Sequence, residues 1–326
     1  MRILALGGTR FVGRHVAEAA LARGHDVTVL HRGKTGSGLF PAAEHLLADR
    51  DADLSVLAGR HFDATLDFCA YVPGQVDALA AALDGRGGQH LFVSTVSVYA
   101  PPDGPGMTES APLHEPAPAD VTEVTDQTYG PLKVACEQAA ARHHGDGLLI
   151  IRPTYVVGPD DYTWRFPYWV WRMAGGGRVL CPGPADAPMQ VIDARDQATF
   201  MLDLLDRSTA GVFHTVSPSP PFSFGDMLEA IAARVAPPGT TLEWLDEQLL
   251  LDSGLPESSL PLWSWGESDW WAGAADPSAA YAAGLTPRPL AQTVDSTLDW
   301  VRTTDGPRPG TGLSPAQEAE LLARAG

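Results

Sequence analysis

Residues 2–24 read RILALGGTRFVGRHVAEAALARG, an apolar run that meets a glycine turn and passes straight into a helix-like stretch. No other feature constrains the fold as much, because the same alternation continues through the first half of the chain. Candidate strands occupy residues 2–7, 26–32, 63–70, 90–96 and 147–153, and helix-like segments occupy 13–24, 76–85 and 132–144. Near-continuous apolar strands alternating with helices indicate a parallel sheet covered on both faces. The pattern predicts an α/β fold built on a doubly wound parallel sheet.

After about residue 159 the chain turns aromatic and rich in Pro and Gly, as in TWRFPYWVWRMAGGG (163–177) and LPLWSWGESDWWAG (260–273). Between these, MQVIDARDQATFMLDLLDR (189–207) and GVFHTVS (211–217) resume the strand-and-helix pattern. The expected organisation is a sheet domain over 1–159 with 189–217 and a smaller, discontinuous substrate lobe over 160–188 with 218–302. Residues 303–312, TTDGPRPGTG, read as a flexible linker. A short helix follows to residue 326, with Ser314 as its cap and Pro315 in its first turn.

Bulk properties exclude several classes. At 326 residues the chain suggests about two domains. Its formal charge of −18 disfavours nucleic acid, which binders hold with clustered Lys and Arg. No apolar run approaches the roughly 18–20 residues that span a bilayer, and MRILAL reads as a first strand, not a signal peptide. Cys69, Cys136 and Cys181 are widely spaced, form no CxxC pair and give no metal signature. They fit reduced cysteines of a cytoplasmic protein.

The glycine turn has its own chemistry. A strand, a tight turn and a helix N-terminus form a site for a dinucleotide pyrophosphate, with backbone N–H groups aimed at the phosphates. Gly7 and Gly13 anchor a GxxGxxG spacing whose middle glycine is Arg10, so Gly7, Thr9, Arg10, Phe11, Val12 and Gly13 are the candidate cofactor contacts. An NAD-preferring site ends its second strand with an acid. Here that strand ends in His31 and Arg32, and Arg10 with Arg32 could meet a 2′-phosphate, which favours NADP over NAD. Asp49, in ADRD after a third strand, is a candidate for the adenine amino group, or an ordinary loop acid.

Two further pieces suggest catalysis. The strand HLFVSTVSVY ends in Ser94, Thr95 and Ser97, where sheet enzymes place reactive groups. Tyr129 and Lys133, in YGPLK, stand four apart at an expected helix start and share a face. Pro131 is tolerated in a first turn, whose N–H groups lack intrahelical partners. Lysine occurs only at Lys34 and Lys133. A compact ammonium near a phenol stabilises phenolate and can also donate to ribose hydroxyls.

These motifs, with MTESAP (107–112), RPTYVVGP (152–159) and VIDARDQA (191–198), resemble the extended, atypical short-chain dehydrogenases/reductases, the NAD-dependent epimerase/dehydratase family. The likeness covers most of residues 1–302 and is nearest the branch that includes chloroplast stem-loop-binding proteins. It implies a Rossmann-type sheet with Tyr129 as general acid/base, Lys133 as its pKa-lowering, ribose-binding partner and Thr95 on the reacting oxygen. Ser94 would lie at the cofactor, and Pro153, Tyr155 and Val156 would pass under the nicotinamide within the 152–158 segment. It also implies a homodimer through the helix of Tyr129. Val96 and Ser97 stand where dehydratases carry an Asp-Glu pair, which argues against elimination, and Tyr155 stands where nucleotide-sugar members carry Asn.

The second lobe is rich in indoles. Most of its aromatics are expected to form a core, while Trp164, Phe166 and Trp169, with Ser97 and Tyr155, are candidates to line a site for a small apolar or aromatic substrate. The leading expectation is an NADP(H)-dependent oxidoreductase on a carbonyl/alcohol pair. An epimerase using tightly bound NAD(P) and a non-catalytic nucleotide-sensing or RNA-associated protein are the alternatives. His143, His144 and His214 show no ligand spacing, and no metal is expected.

Overall fold

The structure, a computed structural model, describes residues 1–36, 38–102, 104–256 and 259–325, without the side chains of 217–221 and 325. Its strands are β1 (Arg2–Leu6), β2 (Asp26–His31), β3 (Glu44–Leu47), β4 (Ala64–Asp67), β5 (Gln89–Val93), β6 (Leu149–Pro153), β7 (Tyr155–Val157), β8 (Arg178–Gly183), β9 (Pro188–Asp193), β10 (Gly211–Thr215), β11 (Ser217–Ser223) and β12 (Thr241–Asp246). The helices are α1 (Phe11–Ala22), α2 (Pro73–Leu83), α3 (Asp126–His144), α4 (Arg165–Ala174), α5 (Ala194–Asp206), α6 (Phe224–Val235), α7 (Glu247–Asp252), α8 (Ser278–Ala282), α9 (Leu290–Val301) and α10 (Pro315–Ala325).

The chain divides into two compact units. The first comprises Met1–Thr154, Ala194–Val216 and Asp276–Thr286. Among the described residues its sheet has seven strands in the order β10-β6-β5-β4-β1-β2-β3, all parallel. This is the doubly wound, Rossmann-type α/β fold that the alternation predicts. The order reverses at β1, which lies between β2 and β4, so the first glycine turn opens at a topological switch point. Helix α1 packs against α5 and α2 against α3. Ile3, Leu4, Val29, Leu66, Leu91 and Ile151 are essentially inaccessible, as strands buried on two faces require.

The second unit comprises Tyr155–Asp193, Ser217–Ala275 and Pro287–Gly326. It carries the three-stranded β11-β9-β7 sheet and the parallel β12-β8 pair. Trp169, Phe224 and Trp263 meet edge to face in its core, the geometry that aromatic quadrupoles favour. Compared with the boundaries read from sequence, residues 155–159 and 189–193 belong to this unit, and Asp276–Thr286 to the first. Within the segment read as a linker and helix, residues 303–325 also pack here. The Leu313 N–H donates to Tyr168 Oη at 3.1 Å, and the Glu318 carboxylate pairs with Arg172 at 2.8 Å. No helix among the described residues is long and apolar enough to cross a membrane.

Candidate active site

Strand β1 delivers the chain into a turn that only glycine can make. Gly7 holds φ +85°, a region costly for L side chains, and a Cβ there would stand 3.0 Å from Cys69 Sγ. A Cβ on Gly13 would stand 2.6 Å from Gly7 O, so the first turn of α1 lies directly on the loop. Although Arg10 replaces the middle glycine, its neighbour Phe11 still takes φ +38°. Arg10 is the extended N-cap of α1, makes no side-chain cap, and no acid stands in the first turn. The positive helix end is thus open to an anion.

Where the second strand ends, His31 is tied to its neighbours. The Gly33 N–H donates to His31 Nδ1 at 3.1 Å, and His31 Nε2 lies 2.9 Å from His45 Nδ1. Both ring nitrogens are engaged within the protein, so the His31 side chain supports the loop. Burial, then His45, pushes its pKa below the ordinary value. Arg10 and Arg32 are exposed, Thr9 Oγ1 lies 3.2 Å from Thr35 Oγ1, and Asp49 accepts the Asp51 N–H at 3.2 Å.

At the end of β5, Thr95 caps a short 3₁₀ turn, accepting the Ser97 N–H and donating to Ser97 Oγ, each at 3.1 Å. Ser94 N–H is tied to Ile151 O at 2.7 Å, while its buried Oγ has no partner among the described residues. Helix α3 begins at Asp126, capped by Thr125. Pro131 therefore falls in the second turn, not the first. Gly130 faces the Ser97 carbonyl, where a Cβ would stand 2.1 Å from the oxygen. This approach sets Tyr129 beside the Thr95–Ser97 turn.

Lys133 follows one helical turn after Tyr129 and is 4% exposed. Its Nζ donates to Ala70 O at 3.0 Å and Val93 O at 2.7 Å, and lies 4.0 Å from the Phe92 ring centroid. Burial lowers its pKa against the pull of Cys136, Asp67 and Glu137. The third ammonium proton has no partner among the described residues, and Lys133 makes no ion pair among them. Tyr71, exposed after β4, was not singled out by sequence reasoning. Its ring lies 6.4 Å from that of Tyr129 and 5.8 Å from Lys133 Nζ. Its place at a strand's C-terminal end was the available signal.

Buried pairs brace this region. Arg50 grips Asp67 at 2.7 and 2.8 Å and donates to Cys69 Sγ at 3.2 Å. Burial alone would raise the Asp67 carboxyl, but Arg50 holds it down at about 2. Arg152 pairs with Glu137 and donates to Tyr99 Oη, which meets His214 Nε2 at 2.6 Å. Pro153 is buried in β6 beside them.

In the second unit, Val156 is buried in β7 and Tyr155 is half-buried. Phe166 and Trp169 are fully buried, Trp164 packs tilted against Trp300 at 5.5 Å, and Trp169 Nε1 donates to Pro261 O at 2.6 Å. These three, expected to line a substrate site, are instead core side chains. An apolar face of α4 has to be filled before any aromatic can be spared.

A glycine cradle, an uncapped helix end, an orphaned buried hydroxyl at Ser94 and a spare ammonium proton at Lys133 together fit a pyrophosphate-bearing dinucleotide. Comparison with known proteins agrees. The chain is 24% identical over 230 residues to the chloroplast stem-loop binding protein of 41 kDa b of Arabidopsis thaliana, covering 64% of this chain and 56% of that one. It is 30% identical over 185 residues to UDP-glucose 4-epimerase of Streptomyces lividans, covering 49% and 53%. The chain thus spans little more than half the length of these curated relatives. The solved UDP-glucuronic acid 4-epimerase of Bacillus cereus, in complex with NAD, shares the fold with a TM-score of 0.69 at 15% identity, covering 95% of this chain and 100% of that one. Residues 3–216 match the profile of the NAD dependent epimerase/dehydratase family, and the chain belongs to that family.

Proposed function

We propose that the chain is an NADP(H)-dependent oxidoreductase that interconverts a carbonyl and an alcohol on a small metabolite, with Thr95, Tyr129 and Lys133 as its catalytic set. The observation that carries this is Lys133. A buried cation without an acid partner is costly to a fold, and perturbed, desolvated ionisable groups concentrate at functional sites. Here that cation sits one helical turn from a phenol.

A bound nicotinamide would supply or accept the hydride. Tyr129 would pass its phenolic proton to the oxygen of a carbonyl undergoing reduction, or take it back in the reverse direction. The Thr95 hydroxyl, turning from Ser97 Oγ, would donate to the same oxygen. Lys133 would favour the phenolate by its charge and offer its spare N–H to a ribose hydroxyl. The exposed Arg10 and Arg32 support NADP over NAD. The formal charge of −18 supports a small molecule over nucleic acid as partner.

A second reading, an epimerase in which the hydride returns to the other face of the same carbon, draws support from the epimerase among the curated relatives. The deciding experiment supplies NADPH and a panel of carbonyl compounds to the full chain and follows NADPH absorbance, with Tyr129→Phe alongside. Net consumption abolished by that substitution is expected. Nucleotide retained through purification with no net consumption would favour the epimerase, and undiminished turnover in Tyr129→Phe would remove the acid/base assignment.

A further inference from the structure

The second unit holds two arginines on one helix, and the structure treats them differently. Arg172 spends every nitrogen on the protein: Nε on Glu318 at 2.8 Å, one η nitrogen on Gly176 O at 2.9 Å and the other on Arg178 O at 2.7 Å. Arg165, at the start of α4, spends only Nε, which donates to Thr163 Oγ1 at 3.2 Å. Thr163 in turn donates to the Asp161 carboxylate, which is fully buried. Neither η nitrogen of Arg165 has a hydrogen-bond partner among the described residues, although its charge acts on the buried Asp161 carboxylate. This matters in a chain with 40 acids against 22 basic residues, where surface carboxylates are abundant.

The guanidinium also lies over an aromatic ring. Its Cζ lies 5.3 Å from the centroid of the Tyr155 ring, whose hydroxyl lies 3.3 Å from Ser264 Oγ. The ring contact and the single bond at Nε restrain the guanidinium and leave its two-pronged edge unused. That edge matches the two oxygens of a carboxylate or phosphate, which arginine binds through parallel, charge-assisted hydrogen bonds. Holding the fork in advance lowers the ordering cost of binding.

We propose that Arg165, lying over Tyr155 and oriented by the Thr163–Asp161 relay, is an anion-recognition fork for the carboxylate or phosphate group of a small molecule. The fork stands on its own geometry and not on the oxidoreductase reading.

Anion titration tests the fork directly. Full-length protein saturated with NADPH is titrated calorimetrically with inorganic phosphate and with malonate at constant ionic strength. Binding of at least one is expected, weakened tenfold or more by Arg165→Gln and about tenfold by Arg165→Lys, which keeps charge but loses the fork. Arg178→Gln, an exposed arginine of the same unit, should change it less than twofold. Tighter binding of phosphate assigns a phosphorylated ligand, and tighter binding of malonate a carboxylate. No binding by the wild type, or equal losses in the Arg165 and Arg178 variants, would overturn the fork. None of these readouts requires turnover.

Discussion

Gly130 stands so close to Ser97 that a Cβ on the glycine would lie 2.1 Å from the serine carbonyl oxygen. The helix bearing Tyr129 and Lys133 can meet the Thr95 turn only because this position lacks a side chain. Gly130→Ala is expected to destabilise the protein by about 1–3 kcal/mol through overpacking. Gly74→Ala, at an exposed position of α2 with open space around it, should gain about 0.5–1 kcal/mol. Urea denaturation of both variants checks the contrast, and a Gly130→Ala protein as stable as wild type would refute the contact.

Tyr129 and Lys133 should fail differently. Tyr129→Phe is expected to slow turnover by roughly 10²–10⁴-fold while leaving stability and NADPH binding near wild type. Lys133→Met strands the Ala70 and Val93 carbonyls, so it should lose turnover, cofactor affinity and about 1–3 kcal/mol of stability together. Steady-state kinetics, cofactor titration and denaturation distinguish the two patterns.

Arg10→Ala and Arg32→Ala are each expected to weaken NADPH about tenfold, or ~1.4 kcal/mol, with NADH changed less than twofold. Tryptophan fluorescence titration measures both. Equal affinities for the two nucleotides in wild type, unmoved by either substitution, would exclude a 2′-phosphate site there.

His90 gives a pH dependence of definite sign. It is buried in β5, stacked on His144 at 4.2 Å, and neither ring nitrogen has a partner among the described residues. Burial first, then His144, pushes its pKa down to about 3. The unfolded chain takes up a proton below its ordinary pKa near 6.5 and the folded chain does not. Stability from this group is therefore full above pH 6.5 and lost as pH falls toward 3, at up to about 1.4 kcal/mol per pH unit. His90→Phe should flatten the fall in urea-derived stability between pH 7 and 5 by close to one proton.

Local chemistry is what the sequence displays best. The Gly7–Gly13 turn was legible because backbone geometry and helix entry are encoded within a few residues. Lys133 stood out because a chain that otherwise uses arginine retains lysine there. Gly130 was not legible, since its reason is a carbonyl 33 positions earlier that only tertiary folding brings near. Arg50 and Asp67 meet through sheet order, and Tyr71 approaches Tyr129 in the same way. The contact between His31 and His45 was not legible either, because His45 lies on the next strand and nothing in the VLHRG motif announces it. Phe166 and Trp169 were ambiguous for a different reason: the same indoles and rings serve a core or a cleft, and composition does not distinguish them.

The clasp between Glu318 and Arg172 bears on biosynthesis. The two side chains are 146 positions apart, and the tail also supplies the Leu313 amide to Tyr168. A nascent chain that has delivered α4 to solvent therefore holds a guanidinium whose carboxylate is still to be translated. The first unit waits as well, for the Asp276 carbonyl that lies 2.9 Å from His214 Nδ1. Neither unit can close its buried polar contacts on the ribosome until translation has passed these late residues, so both should mature nearly together rather than in sequence order.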